Sequence, residues 1–247
     1  MNVSLFQAAS ALNANTRWQE IISDNLASSS LPGFKRQQLT MAAVQAGLMP
    51  LGTTSQTFLL PKASSKTSFV AGEMKATGVS TDVAIDGRAF FQVQLSDGTT
   101  GYTRDGEFQV NAQGQLVTKE GYPVLGQGGA TIQLNAHDSS PISIAANGEI
   151  SQGASAKGKL GLTEFDKPEL LTQLNASYFS AQNTKIQASQ SVTSKVRQGY
   201  LEGSNSSTVL EMSNLMTAMR GFEANQHVIQ IQDDRLGKTI EALGSPT

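Results

Sequence analysis

Four aspartates lie close together in the middle of the chain: Asp82, Asp86, Asp97 and Asp105. A pair of carboxylates could run general acid/base chemistry, and a cluster could hold a hard cation. Their neighbours favour a plainer role. Asp86-Gly87, Asp97-Gly98 and Asp105-Gly106 are the dipeptides that tight turns use. Arg104 beside Asp105 reads as half of a structural ion pair. Gly126-Gln127-Gly128-Gly129 is a turn and not a phosphate loop, because no Lys-Ser/Thr follows it and no helix opens there. Ser, His and Asp do not assemble into a recognisable nucleophile elbow. Zero cysteines remove disulfides, thiolate nucleophiles and Cys-ligated metals. His137 sits in a polar loop and His227 in a helical pattern, too few for a His-rich metal site. Met212, Met216 and Met219 share one helical turn, which suits packing. No catalytic, cofactor-binding or metal-binding residue is therefore assigned, and no small-molecule substrate is expected.

The bulk properties narrow the classes further. The chain has 247 residues, 38% of them hydrophobic, 15% charged, with a net charge of −2. That is enough for one large domain or two small ones, and it excludes a generally basic nucleic-acid binder. No apolar run approaches the roughly 18 residues that would span a bilayer, so no membrane insertion is expected. The first basic residue is Arg17, and Ser4, Gln7, Ser10, Asn13 and Asn15 interrupt the apolar runs before it. This is not a cleavable secretory signal. The expectation is a protein that stays in the cytoplasm or leaves by a route without a cleaved signal.

The elements that must hold these residues fall into three kinds. Near the N-terminus Leu5, Ala8, Leu12, Asn15, Gln19, Ile22 and Leu26 follow 3-4 spacing, after a capping-box pair at Ser4 and Gln7. That helix should end by Leu31-Pro32-Gly33. Near the C-terminus Met212, Leu215, Met219, Phe222, Gln226, Ile229, Asp233, Leu236, Ile240 and Leu243 repeat the spacing after Thr208 and Glu211. A helix from about Thr208 to Leu243 would run roughly 50 Å and must lie against another helix. The N-terminal helix is the obvious partner within the chain. Subunit packing is the sharper alternative, with Gln226 and Asp233 suited to choosing register or partner. Between residues 37 and 80 Ser and Thr abound, no acid occurs from Asn25 through Gly72, and the apolar residues show no sustained period. This stretch reads as an extended connector, made locally basic by Lys35, Arg36, Lys62, Lys66 and Lys75, which a solvated loop explains at least as well as anion binding does. From about Thr81 to Arg197 the pattern is all-β. Hairpins are expected at Asp97-Gly98, at Asn111 to Gly114, and at Ala145 to Gly148.

The fold class is thus α+β: discontinuous N- and C-terminal helices forming a coiled-coil-like domain, with a mainly-β domain inserted. The boundaries are 1–36 and 203–247 for the helical domain, 37–80 for the connector and 81–202 for the β-rich domain. The expected assembly seam comprises Leu5, Leu12, Ile22, Leu26, Met212, Leu215, Met219, Phe222, Ile229, Leu236, Ile240 and Leu243.

Three blocks carry a family resemblance. Asp24-Asn25-Leu26-Ala27 followed by Leu31-Pro32-Gly33-Phe34-Lys35-Arg36 resembles the N-terminal signature of the flagellar rod and hook family, the axial proteins of the bacterial basal body. Asp82 to Phe91, with Tyr102-Thr103-Arg104-Asp105-Gly106 and Gly114-Gln115-Leu116-Val117, is the second block. Gln198-Gly199-Tyr200-Leu201-Glu202-Gly203-Ser204-Asn205, then Glu211-Met212 and Arg220 to Asn225, is the third. Ser28, Leu31 and Arg88-Ala89 depart from the family pattern. The motif positions carried over are Asn25, Leu26, Pro32, Gly33, Phe34, Gly199, Leu201, Glu202, Gly203, Ser204 and Asn205. Length, with residues 122–129 and 161–166, looks most like a proximal-rod member, a distal-rod member being the runner-up.

The resemblance implies a structural subunit of the rod that transmits torque. Its partners would be other rod proteins, copies of itself and the flagellar type III export machinery, which takes such chains without a cleaved signal. The terminal helices would form the inner layer of a helical tube, folding fully only on assembly. The rival expectation from pattern alone is an extracellular adhesin or tail-fibre module with a coiled-coil stalk. A hydrolase would require Asp82 or Asp86 to meet a second carboxylate in a cleft.

Overall fold

In the computed structural model, two long helices and a long ribbon make one compact unit, and a set of short strands makes another. The structure describes residues 3–51, 54–135, 138 and 140–244. His137 lies outside the described residues, as do the side chains of Leu5 and Leu243.

The first unit spans Met1–Ala27, Gln37–Thr67 and Ser207–Thr247. It holds α1 (Val3–Ala27), β1 (Gln37–Leu51), β2 (Thr54–Thr67) and α2 (Thr208–Gly244). The helices pack on each other. On α1 the buried positions are Ala8, Ala14, Asn15, Ile21, Ile22 and Asn25. On α2 Glu211 and Ala218 are buried, and Leu215, Phe222, Asn225 and Ile229 are half-buried at the same 4-3 spacing. Small residues set how closely the helices meet. A Cβ on Gly221 would lie 3.2 Å from the Asn15 amide nitrogen. Asn25 closes the end of α1, since its side-chain oxygen accepts from the Gln37 N–H and its nitrogen donates to the Gln37 carbonyl, both at 2.8 Å.

The stretch expected to be an extended connector is extended, and residues 37–67 of it are paired. β1 and β2 form an antiparallel ribbon from Gln37↔Thr67 to Leu51↔Thr54, with Ala46 bulged out between Gln45 and Gly47. A two-stranded ribbon is marginal alone in water, and this one packs on α1. Met41 and Val44 are exposed on it.

The second unit spans Ser28–Arg36 and Ser68–Ser206. The division therefore falls after Ala27, Arg36, Thr67 and Ser206, whereas the sequence pattern places the joints at 36, 80 and 202. Its strands begin with β3 (Met74–Ala76), β4 (Val83–Asp86), β5 (Phe90–Gln94), β6 (Thr100–Thr103), β7 (Phe108–Val110), β8 (Leu116–Thr118) and β9 (Val124–Leu125). They continue with β10 (Ile142–Ile144), β11 (Glu149–Gln152), β12 (Ser155–Lys159), β13 (Leu162–Phe165), β14 (Thr172–Gln173), β15 (Tyr178–Ser180), β16 (Ala188–Gln190), β17 (Lys195–Gln198) and β18 (Tyr200–Glu202). The largest sheet runs β14-β15-β6-β5-β13-β16, with β9 also on β5. Smaller sheets are β10-β11-β12, β17-β4, β18-β3 and β7-β8.

β5 explains the layering. Successive side chains of a strand point to opposite faces, yet Phe90 and Phe91 are both buried. Phe91 and Val93 enter the main core with Val83, Ile85, Phe108, Leu116, Ile150 and Leu162. Phe90 enters a second, aromatic cluster with Phe165, Phe179 and Phe69, ring centroids 5.2–6.1 Å apart in edge-on geometry. The central sheet is thus covered on both faces.

All three expected hairpins are present, as β5–β6, β7–β8 and β10–β11. All three share one turn, in which Gly98 N–H donates to Leu95 O and Gly114 N–H to Asn111 O at 2.9 Å, and Gly148 N–H to Ala145 O at 2.8 Å. In each turn the glycine takes a positive φ.

Candidate functional site

Asp97 and Asp105 fold as turn residues, while Asp82 sits in a β-bridge and Asp86 ends β4. Asp97 accepts from the backbone N–H and the hydroxyl of Thr99, at 2.9 and 2.6 Å. Asp105 accepts from Glu107 N–H at 3.0 Å. Asp86 pairs with Arg197 at 2.8 Å. The backbone of Asp82 accepts from Gly199 N–H and bridges to Glu107. The carboxyl that burial perturbs is Asp105, pushed up to about 7, with Glu107 and Glu120 adding to the shift.

The folded chain holds this proton to higher pH than the unfolded chain, so the stability it contributes is present below about pH 4 and is lost as pH rises to about 7. Asp105→Asn keeps the turn acceptor and cannot ionise. It should flatten the decline, gaining about 1–2 kcal/mol relative to the parent between the two ends of that window, discounted for the partial exposure of the side chain. Parallel urea titrations of both proteins at several pH values would show this, and identical slopes would contradict it.

The family-motif residues of the second unit converge instead on one buried carboxylate. Glu202, 1% exposed, accepts from the Lys35 ammonium, from Arg104 Nη1 at 3.2 Å and from Gly72 N–H at 2.9 Å. Lys35 is fully buried and also donates to Val70 O at 3.0 Å. Arg104 donates from Nη2 to Gly87 O at 2.9 Å and lies over the Phe90 ring at 4.9 Å. Burial pulls the Lys35 and Arg104 pKa values down, and the Glu202 charge partly restores them.

Around this clasp Gly33 N–H donates to Glu202 O at 2.7 Å, and Phe34 is buried. Asn205 accepts from Arg36 N–H at 2.7 Å and donates to the Ser68 and Val70 carbonyls. Gly199 takes φ +75° where its carbonyl receives the N–H groups of Thr77 and Gly78. Pro32, Leu201, Gly203 and Ser204 line a recess beside Glu202. Segments 28–36, 68–76 and 199–205 are thereby stapled through side chains far apart in the sequence. Two expectations are corrected here. Lys35 is a buried ion-pair partner and not part of a solvated loop, because Glu202 offers it a desolvated anion. Arg104 pairs with Glu202 and not with adjacent Asp105, whose carboxylate is instead turned onto the Glu107 N–H two residues on.

The expected seam divides by exposure. Ile22 is buried, and Leu12, Leu26, Leu215, Phe222 and Ile229 are half-buried. Met212, Met219, Leu236 and Ile240 are exposed, from 40% to 69%, with Met216 beside them. His227 is also exposed. The sequence reading missed Lys35 and Arg104 as partners of Glu202. The signal available for them was only their position inside the family blocks.

Comparison with known proteins addresses the whole chain. Residues 84–152 match the family described as flagellar hook protein FlgE/F/G D1 domain. Residues 197–242 match the flagellar basal body rod FlgEFG protein C-terminal family. The rod protein FlgF of Caulobacter vibrioides is 31% identical over 247 residues, covering 99% of both chains. FlgF of Escherichia coli is 30% identical, covering 98% of this chain and 99% of the relative. FlgG of Buchnera aphidicola subsp. Acyrthosiphon pisum is 34% identical, covering 95% and 97%. None of these relatives is an adhesin or a tail fibre. Matched from end to end by basal-body rod proteins, FlgF leading and FlgG beside it, the chain belongs to the flagellar hook and rod family and is a structural subunit of the basal-body rod.

Proposed function

We propose that the subunit enters the rod through its terminal helices, with the exposed apolar stripe of α2 meeting neighbouring copies or other rod proteins. The observation that carries this is the stripe itself. Met212, Met216 and Met219 are exposed to one side of the face that packs on α1, and Leu236 and Ile240 prolong that face along the exposed C-terminal part of α2. Length adds to it. α2 has 37 residues and α1 has 25, so α2 is longer by roughly 18 Å at 1.5 Å per residue. A helix end carrying Leu236 and Ile240 in water gains most by burial against another subunit. Contacts of this kind, made by different patches on successive copies, generate a helical array and not a closed ring. Such a shaft passes torque along its axis without catalysis and without a cofactor, metal or small-molecule substrate. The chain reaches the basal body, across the periplasm, by the flagellar type III export route without a cleaved signal.

The test is the double substitution Met212→Asp/Met219→Asp in the full chain. Both sites are exposed, so the stability of the free protein should change by no more than about 0.5 kcal/mol each. Incorporation into basal bodies and swimming should be lost, as they should when the last thirty residues are deleted. Normal basal bodies and motility with the double variant would refute the assignment of this stripe.

A further inference from the structure

The sheet face that carries Phe90 changes character along its length. Two residues on along β5 comes Gln92, opposite Tyr102 of β6. The Gln92 amide donates to the Thr163 hydroxyl of β13, and Thr163 stands opposite Gln190 of the edge strand β16. One phenol, two carboxamides and one hydroxyl thus form a row across four strands, at the usual interstrand spacing of about 4.8 Å. They floor a cavity of about 320 Å³. One wall is the turn at 126–129, which supplies the Gln127 side chain and the backbone of Gly128 and Gly129. These two glycines have φ +92° and +80°, and a Cβ on either would meet open space, so no side chain screens their peptide groups. At Gly161 a Cβ would stand 3.0 Å from Gln92 Oε1, so the missing side chain leaves that amide its room.

No residue lining this cavity is charged. A charged ligand would lose its hydration there without meeting a counter-charge, and an apolar one would strip water from the amides and return no hydrogen bond. Burial raises the Tyr102 pKa, so the phenol remains a hydroxyl throughout the physiological range. Neutral donors and acceptors around one aromatic ring match a neutral ligand dense in hydroxyls. An extended peptide is the poorer fit. It would seek the free edge of a sheet, and β16 offers three residues there, whereas the groups presented here are side chains on the face.

We propose that this recess is a binding site for a neutral oligosaccharide, one sugar ring resting beside Tyr102 with its hydroxyls on Gln92, Gln127 and Gln190. The proposal is independent of how the helices assemble.

The full-length protein, isotopically labelled, would be titrated by NMR with cellohexaose, maltohexaose and chitohexaose at millimolar concentration. At least one should give saturable shifts of the Gln127 and Gln190 side-chain amides and of the Gly128 and Gly129 backbone. Gln127 and Gln190 are exposed, so Gln127→Ala and Gln190→Ala leave the fold intact, and each should weaken binding about fivefold or more. Gln94→Ala, outside the recess, should leave it unchanged. Absence of saturable shifts with all three sugars would overturn the proposal. So would binding that survives the Gln127→Ala/Gln190→Ala double variant, or equal binding at these residues of an anionic oligogalacturonate or a neutral peptide.

Discussion

Replacing Glu202 with glutamine should destabilise the β-rich unit by about 3–5 kcal/mol, because it strands two buried cations against a neutral amide. The charge count makes the prediction specific. Lys35 and Arg104 share one anion and all three side chains are at most 4% exposed. Lys35→Met leaves a neutral Arg104–Glu202 pair, and Val70 O still receives the Asn205 amide at 2.9 Å. That variant should cost less than about 2 kcal/mol. The double variant should cost less than the sum of the singles, since removing Lys35 relieves the repulsion that Glu202→Gln creates. The four tyrosines, Tyr102, Tyr122, Tyr178 and Tyr200, all lie in this unit, and Trp18 lies in α1. Near-ultraviolet circular dichroism of tyrosine during urea unfolding therefore reads the clasp, and tryptophan fluorescence reads the helices. Equal losses for Lys35→Met and Glu202→Gln would show that the charge balance is not what holds the clasp.

Gly33→Ala should be almost as damaging, with a loss of at least about 3 kcal/mol. The residue has φ +67°, a conformation that costs an L side chain about 1–2 kcal/mol. Its Cβ would fall 2.3 Å from the Asp105 nitrogen and 2.4 Å from the Arg104 carbonyl carbon. Both are backbone atoms and cannot rotate away. The segment would have to lift, stretching the 2.7 Å bond from Gly33 N–H to Glu202 O. Gly78 supplies the control. It has φ +71° with open space around it, so Gly78→Ala carries only the conformational cost. The difference in urea midpoint between the two variants measures the steric part, and a difference near zero would mean the close approach is unimportant.

The turns were legible because their chemistry is local. Asp97-Gly98 and the 111–114 and 145–148 segments carry both the acceptor and the glycine within four residues. The helices were legible from their period, and α1 buries Ala8, Asn15 and Ile22, three positions of the 3-4 pattern. The ribbon at 37–67 was legible only as extended chain. Its residues from 40 to 44 and from 64 to 66 are exposed on both faces, so no alternation of apolar and polar residues marks a strand. α2 was legible as a helix but not in its orientation. Its 3-4 seam joins Met212 and Met219 to Leu215, Phe222 and Ile229, and the small residues Ala218 and Gly221 turn the side with the latter three toward α1.

The sequence by itself determined the two helices of this protein, three of its hairpins, its inserted β-rich middle and, through three short blocks, its family. Each of those depends on residues within one turn or one repeat of each other. Only the tertiary structure decided that Lys35, Arg104 and Glu202 share a charge, and which face of α2 stays in water. Burial of an ion depends on a partner that here lies 167 residues away. The free face of a helix depends on where small residues let another helix come close, and a linear pattern carries neither distance.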